Sequence, residues 1–241
     1  MFSLDLHIHT KYSFDSLMNP AKILKIAERR GLNAIAITDH NTITGGVRTF
    51  EESKEDKSEV IVITGAEIAT NKGDLIGLFL NEEIKSKDVF EVIDSIRAQG
   101  GLVLIPHPFN SHKFGDVAAL MEHVDLLEIY NSRYPINPKQ KKILETLNKP
   151  LVAGSDAHFY REIGLCLTLI YEESICKEEI RRTLLRGKIA VLGMYGPFCF
   201  KPMSQIIKGL KCKDAKILGM ATINFIRSLF YESLGRNLIE K

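Results

Sequence analysis

Short runs of apolar, often β-branched residues recur along the chain, separated by longer segments in which apolar residues return every three or four positions. Apolar runs of about four to eight residues are typical of strands that are covered on both faces of a sheet. The pattern predicts eight strands, at residues 3–8, 33–38, 60–64, 75–80, 102–106, 126–130, 151–153 and 164–170.

The segments between these strands carry helical periodicity. The first helix is predicted to begin at Asn19 and Pro20, a favourable cap and first-turn pair, and to end at Gly31. Further helices are predicted near residues 89–96, 138–147 and 177–186. Strands and helices that alternate in this way favour an α/β fold with a mostly parallel sheet. Periodicity alone does not distinguish a barrel from an open sheet.

Length and composition exclude several classes of protein. The 241 residues suffice for one large domain or two small ones, and 45% hydrophobic with 26% charged residues is ordinary for a globular chain. No run of about 18 uncharged apolar residues indicates a membrane span, and the first residues lack the features of a secretory signal. The four cysteines form no CxxC pair, which argues against a disulfide framework or a thiolate zinc site. We therefore expect a cytoplasmic protein.

Charge divides the chain unevenly. Residues 201–241 hold eight Lys/Arg against three Asp/Glu, a balance of +5, and since the whole chain carries +2, the first 200 residues carry −3. We expect a domain at residues 1–200 and a basic C-terminal segment at residues 201–241. This segment is predicted to pack on the domain as a helix through Ile217, Leu218, Met220, Ala221, Ile223, Phe225, Ile226, Leu229 and Phe230.

Residues with reactive side chains follow most of the predicted strands. They are His7, His9, Asp39, His40, Glu67, His107, Asn131, Asp156 and His158. In a parallel barrel the carboxyl ends of all strands meet at one rim, whereas in an open sheet they spread along an edge. Their convergence therefore favours a closed or nearly closed barrel. His112 and His123 lack this context and are predicted to be surface or loop residues.

The mixture of side chains indicates metal chemistry. Imidazole and carboxylate ligands together suit zinc, manganese or iron, whereas calcium and magnesium prefer oxygen alone. The set is too large for one tetrahedral ion, so we predict two or three divalent ions, with Glu67 bridging two of them. Ions roughly 3.5–4 Å apart generate a hydroxide at neutral pH and clamp the oxygens of an in-line displacement. Phosphate ester hydrolysis is the reaction that most often uses such a site.

The motifs that carry these residues resemble a known family. In chain order they are DLHIHTKYSFDS, AITDHNT, GAEI, IPHPF, LEIYNSR and GSDAH. They lie within residues 3–160 and resemble the polymerase-and-histidinol-phosphatase (PHP) family of metal-dependent phosphoesterases. The resemblance implies a distorted (β/α)7 TIM-like barrel with a two- or three-metal cluster, here followed by a C-terminal helical extension.

The resemblance also implies three sets of metal ligands. These are His7, His9, Glu67 and Asp156 for one metal, Glu67 and His107 for a second, and Asp15, His40 and His158 for a third. The chain departs from the family at Asp74, where many relatives carry a histidine. Asp74 is expected either to serve as an oxygen ligand or to leave the second metal weakly held.

Other polar residues are assigned supporting roles. Asp39, beside His40, is predicted to orient a neighbouring ligand rather than to bind metal. Arg133 is the candidate phosphate clamp, because a guanidinium grips phosphate through two parallel bonds. Its alternative is a surface arginine. Arg161 and Lys113 are weaker candidates of the same kind.

We predict a metal-dependent phosphoesterase that uses a metal-activated hydroxide on a small phosphomonoester or nucleotide. Among family members, enzymes acting on nucleoside bisphosphates or oligoribonucleotide ends resemble it more than histidinol phosphatases, which remain an alternative. A polymerase-associated type of nuclease is another alternative, because lysines of the basic segment could neutralise a nucleic-acid backbone. They are Lys201, Lys208, Lys211, Lys213 and Lys216. Long nucleic acid is nevertheless not the favoured partner.

The alternative from another class is a non-catalytic metal-binding regulatory module. Against other enzyme classes, no glycine-rich phosphate loop of the GxGxxG or GxxxxGK[ST] type follows a strand, and no GxSxG motif indicates a serine hydrolase. The substrate, the native metal and the oligomeric state are not fixed by these patterns.

Overall fold

The structure, a computed structural model, describes residues 1–110 and 114–239. Its nine strands in this part are β1 (Phe2–Ile8), β2 (Ala34–Ile37), β3 (Ile61–Thr70), β4 (Gly73–Leu78), β5 (Leu102–Ile105), β6 (Leu126–Asn131), β7 (Leu151–Gly154), β8 (Cys166–Ile170) and β9 (Ile189–Gly193). Its helices are α1 (Pro20–Arg29), α2 (Thr44–Glu55), α3 (Val89–Ala98), α4 (Phe114–Leu120), α5 (Pro138–Thr146), α6 (Lys177–Arg186), α7 (Phe200–Lys211) and α8 (Ala215–Ile239).

The strands form a single curved sheet. Their order is β7-β6-β5-β4-β3-β2-β1-β8-β9. The segment after β7 returns to β1, where the amide of His9 donates to the carbonyl of Ala157 and the amide of Ala157 donates to the carbonyl of His7. These bonds join the β7 end of the sheet to β1 and leave a nearly closed barrel. The predicted α/β fold, a distorted TIM-like barrel with a helical C-terminal part, is confirmed.

The expectation of a mostly parallel sheet is wrong. Four neighbouring pairs are parallel (β1–β2, β2–β3, β5–β6 and β6–β7) and four are antiparallel (β1–β8, β3–β4, β4–β5 and β8–β9). β3 and β4 form a hairpin because only Asn71 and Lys72 connect them, and parallel strands need a much longer crossover. The edge strand β9 was not predicted.

Apolar residues fill both faces of the central strands. All residues of β2 and β5 are buried, as their continuous apolar runs predict. α1 buries the predicted stripe of Ile23, Leu24 and Ala27. Asn19 stands at its N-cap, but the Asn19 side chain makes no capping hydrogen bond. The buried stripe, rather than the cap, therefore holds this helix on the barrel.

The C-terminal part consists of α7 and α8, which pack on each other. Since α7 begins at Phe200, the expected boundary at residue 200 coincides with the start of a helix, and the division into two domains stays a prediction. The expected burial of the α8 apolar residues is largely wrong, because α8 lies along α7 and leaves Met220, Ile223, Ile226, Leu229 and Phe230 exposed. None of the described helices is long and apolar enough to cross a membrane.

Candidate metal centre

Two strands on either side of the barrel closure supply the centre of the site. His7 lies on β1 and His9 just after it, and their Nε2 atoms approach to 3.0 Å. Asp156 follows β7, and its Oδ1 lies 3.2 Å from Nε2 of His9 and 3.5 Å from Nε2 of His7. Asp156 has a φ of 55°, a left-handed conformation that is uncommon for residues other than glycine and that clusters at functional sites. The three side chains are buried and point at one another.

Glu67 on β3 connects this centre to two further histidines. Its Oε2 lies 3.4 Å from Nε2 of His9 and 3.2 Å from Nδ1 of His40. Its Oε1 lies 3.0 Å from Nε2 of His107, which follows β5. The carboxylate is 2% exposed, and its two oxygens face different imidazoles. This is the geometry that a bridging ligand requires.

A third group lies on the other side of His9. Oδ2 of Asp15 is 3.2 Å from Nε2 of His40 and 3.1 Å from Nε2 of His158. Oδ1 of Asp15 is buried without a hydrogen-bond partner among the described residues. A buried, unsatisfied carboxylate oxygen costs free energy unless a cation or a donor completes it.

Ligand atoms therefore converge in three groups in the described part of the chain, and in each group they lie within 4.8 Å of one another. The groups are His7, His9 and Asp156; His7, Glu67 and His107; and His9, Asp15, His40 and His158. Imidazole nitrogen and carboxylate oxygen are the donors that zinc, manganese and iron accept. The residues present fit the binding of divalent metal, and they include eight of the nine predicted ligands.

The charges of the cluster shift pKa values in different directions. Burial opposes ionisation of Glu67, but His40 and His107 outweigh it and hold the pKa of this carboxyl well below its usual range. Burial likewise opposes protonation of His40, but Glu67 and Asp15 raise its pKa to about 9. For His9, burial and the neighbouring imidazoles lower the pKa to about 3. The Glu67 carboxylate thus favours its charged form, which is the form that binds cations.

A buried glutamate that sequence analysis missed supports two of the ligands. Glu128 on β6 accepts a hydrogen bond from Nδ1 of His7 (3.0 Å), which leaves Nε2 of His7 facing the cluster. Its other oxygen accepts from the amide of His107 and from the Asn131 side chain, each at 2.8 Å. A carboxylate behind a ligating imidazole fixes the ring and its tautomer. The signal was present, since Glu128 is the lone charge in the apolar strand LLEIY.

Asp39 lies one hydrogen bond further from the cluster. It accepts from Oγ of Ser13 (2.8 Å) and from the amide and hydroxyl of Thr10, each at 2.6 Å. Ser13 Oγ in turn lies 3.0 Å from Nδ1 of His9. Asp39 therefore orients His9 through Ser13, and it belongs to none of the three ligand groups. Gly45 makes this possible, because a Cβ there would lie 1.8 Å from Oδ2 of Asp39.

The three groups open into one cavity of about 420 Å³. Its walls include ligands, Asp74, Arg133 and Tyr134 from the barrel, and Lys201, Gln205 and Lys208 from α7. A larger cavity of about 600 Å³ lies between α7 and α8. No carboxylate or imidazole lines that larger cavity among the described residues, so the smaller one is the candidate site.

Comparison with known proteins assigns the chain to a family. The sequence profile of the PHP domain matches residues 5–186, most of the chain. The chain belongs to the PHP domain family. An uncharacterized protein of Methanocaldococcus jannaschii is 49% identical over 171 residues, which span 66% of this chain and 98% of that protein.

Solved structures show the same PHP fold at low sequence identity. A two-domain protein from Bacteroides vulgatus, containing a predicted PHP-like metal-dependent phosphoesterase, has a TM-score of 0.68 at 20% identity, over 80% of this chain and 65% of that one. The lesion-specific endonuclease EndoQ from Pyrococcus furiosus has a TM-score of 0.59 at 17% identity, over 79% of this chain and 57% of that one. At this level of sequence identity, the structural similarity indicates the fold but not the substrate.

Two predicted residues of the PHP site stand apart from the ligand groups. Asp74 on β4 lines the cavity, but its carboxylate belongs to none of the three groups. Arg133 also lines the cavity, and its Nη2 donates to the carbonyl of Phe200 and to Oγ of Ser204 while its Nε faces Glu162 at 3.1 Å. These contacts fix the guanidinium between the barrel and α7. A metal-binding role for Asp74 and a phosphate contact for Arg133 stay predictions.

The weaker candidates lie elsewhere. Arg161 is exposed and does not line the cavity. His123 is partly buried beside the ring of Phe90, away from the cluster, as a bystander should be. His112 and Lys113 lie outside the described residues.

Proposed function

We propose that this PHP protein hydrolyses the phosphate ester of a small phosphomonoester or a nucleotide, with a nucleoside bisphosphate or an oligoribonucleotide end as the favoured substrate class. The observation that carries the proposal is the convergence of three ligand groups around the buried Glu67 in one cavity. A cavity of about 420 Å³ falls in the range that takes a ligand of nucleotide size. Hydrolysis breaks the bond between phosphorus and the leaving oxygen, joins the oxygen of water to phosphorus, and passes a proton of that water to the leaving group.

The residues of the chain divide the work. His7, His9, Asp15, His40, Glu67, His107, Asp156 and His158 would hold two or three divalent ions, with manganese, zinc or iron as candidates. Such ions, when bound, supply the positive charge that polarises phosphoryl oxygens and acidifies water. Glu128 fixes the orientation of the His7 ring, and Ser13 fixes that of the His9 ring. Arg133 would contact the phosphate from the cavity wall, and its contacts with Glu162 and Ser204 support this role.

The proposal is tested with protein that has been stripped of metal and reloaded with manganese. Metal per chain is measured by mass spectrometry, and turnover is measured with p-nitrophenyl phosphate and with adenosine 3′,5′-bisphosphate. We expect at least two ions per chain and release of phosphate from one or both substrates. Two bound ions without turnover of either substrate would overturn the proposal and favour a non-catalytic metal-binding module.

A nuclease acting on longer chains is the second candidate. It is supported by a 66-residue match, 41% identical, to an error-prone DNA polymerase of Nocardia farcinica, which covers 27% of this chain and 6% of that one. Lysines of α7 at the cavity also suit a nucleic-acid backbone. Cleavage of a long oligonucleotide at internal bonds, faster than the turnover of either small substrate, would select this alternative.

A further inference from the structure

One wall of the catalytic cavity comes from outside the region that matches the PHP family. Lys201, Gln205 and Lys208 line the cavity from α7, whereas the family match ends at residue 186. Their spacing of four and three residues places all three on one face of the helix. This face therefore lies outside the matched region and stands beside the residues that the barrel rim supplies.

The two lysines of this face stand beside aromatic rings that touch the ligand set. Nζ of Lys208 lies 4.3 Å from the ring centroid of Phe14, and that ring stacks on His40 at 4.3 Å with an interplanar angle of 1°. Nζ of Lys201 lies 3.9 Å from the ring centroid of Tyr134, which is 4.7 Å from the ring of His107. A single aromatic ring thus separates each ammonium group from a candidate metal ligand.

Neither ammonium group forms an ion pair with a carboxylate in the part of the chain that the structure describes. Burial and the positive charge of Arg133 lower the pKa of Lys201. Lys201 and Arg133 are cations of the same cavity wall and repel one another, and an anion bound beside them relieves that repulsion. The wall is therefore suited to a negatively charged group.

Lys211, on the same helix, has a structural role instead, because its ammonium group binds backbone carbonyls. Its Nζ donates to the carbonyls of Lys11 (2.8 Å), Ser13 (2.5 Å) and Ser16 (3.0 Å), and it does not line the cavity. Its hydrogen bonds are used within the protein. The ammonium groups of Lys201 and Lys208 rest on ring faces, which leaves their N–H donors for a ligand.

We propose that Lys201 and Lys208 form a second anion subsite, so that the preferred ligand carries a further phosphate group in addition to the one that faces the barrel ligands. This inference rests on the proposed function for the role of the first phosphate. Lysine binds phosphate as a point charge and tolerates several orientations. The subsite therefore favours doubly phosphorylated small molecules over monophosphates without fixing the group that links the two phosphates.

The test uses ligands that a phosphoesterase does not cleave. Propylphosphonate and a series of alkane-α,ω-bisphosphonates with two to six carbons are titrated into the manganese-loaded protein by calorimetry. We expect the best bisphosphonate to bind about tenfold more tightly than propylphosphonate, as one added charge-assisted contact implies. In the Lys201→Met, Lys208→Met double variant this advantage should fall to within about twofold, because the apolar stems remain and only the charges are lost.

Lys216→Met is the matched control, since Lys216 is exposed on α8 and does not line the cavity. It should retain the full advantage of the bisphosphonate, and the single variants Lys201→Met and Lys208→Met should each lose part of it. A wild-type protein that binds both ligand classes equally would overturn the inference, as would an advantage that survives the double variant. Because phosphonates report binding alone, these outcomes are independent of whether the protein turns over any phosphate ester.

Discussion

The barrel rim and the C-terminal helices place charged residues in opposite ways. At the rim, ionisable groups such as His7 and Glu67 are 0% and 2% exposed, and each is held by other rim residues. On α7, Lys201 is partly exposed to solvent and rests on the ring of Tyr134. A cluster fixed by strands suits a metal centre, which needs ligand positions held within fractions of an ångström. Long side chains on an added helix suit selection among ligands, because helices and loops outside a scaffold can change without disturbing it.

The apolar residues of the two regions differ as well. Ile37 on β2 is fully buried in the barrel, whereas Ile226 on α8 is 51% exposed, although both belong to strongly apolar segments. The free energy of unfolding should therefore depend on the barrel residues far more than on those of α8.

The largest effect is expected for Glu67→Gln. The substitution keeps the shape of a side chain whose oxygens face four imidazoles, but it removes the charge and half of the acceptor capacity. Metal content should fall by at least one ion per chain, and kcat/KM should fall by about a thousandfold or more, corresponding to roughly 4 kcal/mol of lost transition-state stabilisation. Glu145→Gln, at an exposed position on α5, is the control. Full metal content in the Glu67 variant would contradict a bridging role.

The second prediction compares Ile37→Ala with Ile226→Ala. Removing the buried side chain leaves a cavity in the barrel and should lower the free energy of unfolding by about 2–5 kcal/mol. The α8 substitution should change it by less than about 1 kcal/mol, because the side chain is half exposed and alanine favours a helix. Urea denaturation of both variants measures the difference. Equal losses would show that the exposed face of α8 is covered in solution.

The third prediction concerns Glu128, which does not belong to any of the three ligand groups. Glu128→Gln should replace one acceptor of the Glu128 carboxylate with a donor, so that the variant cannot serve both Nδ1 of His7 and the amide of His107. We expect metal affinity or kcat/KM to fall by about 10- to 100-fold. Competition with a chelator measures the affinity, and Glu122→Gln, at an exposed site, is its control. Unchanged affinity would show that the ring of His7 is held by other contacts.

The sequence predicts features that neighbouring residues encode, and it does not predict contacts between residues that are far apart in the chain. The strands and most ligands were predicted because apolar runs end in histidines and carboxylates, and a barrel gathers such ends at one rim. Glu128 was missed because its partner His7 is 121 residues away, and only the fold shows that the two meet. β4 was predicted, but its antiparallel direction was missed, because pairing direction is set by a two-residue connection and not by the composition of the strand.

The C-terminal helices also show how far the sequence can predict the site. Their basic residues were visible as a charge balance, but a balance does not say which ammonium groups reach the cavity. Helical spacing puts Lys201 and Lys208 on the face that lines the cavity, whereas Lys211 binds carbonyls of the loop between β1 and α1. Only the packing of α7 on the rim shows which lysines line the cavity and which one binds the loop.

The smallest effect is expected for Lys211→Met. The ammonium group ties α7 to three carbonyls of residues 11–16, the loop that carries Asp15. Lys211 is largely exposed, so water screens these bonds and a loss of about fivefold in affinity for the most weakly held metal is expected rather than the larger effect of a buried contact. Amide hydrogen exchange of residues 11–16 should become faster in the variant, and Lys213→Met, at an exposed position, should change neither quantity. Faster exchange with unchanged metal affinity would mean that Asp15 is positioned by the barrel alone, and it would restrict the role of α7 to the cavity wall.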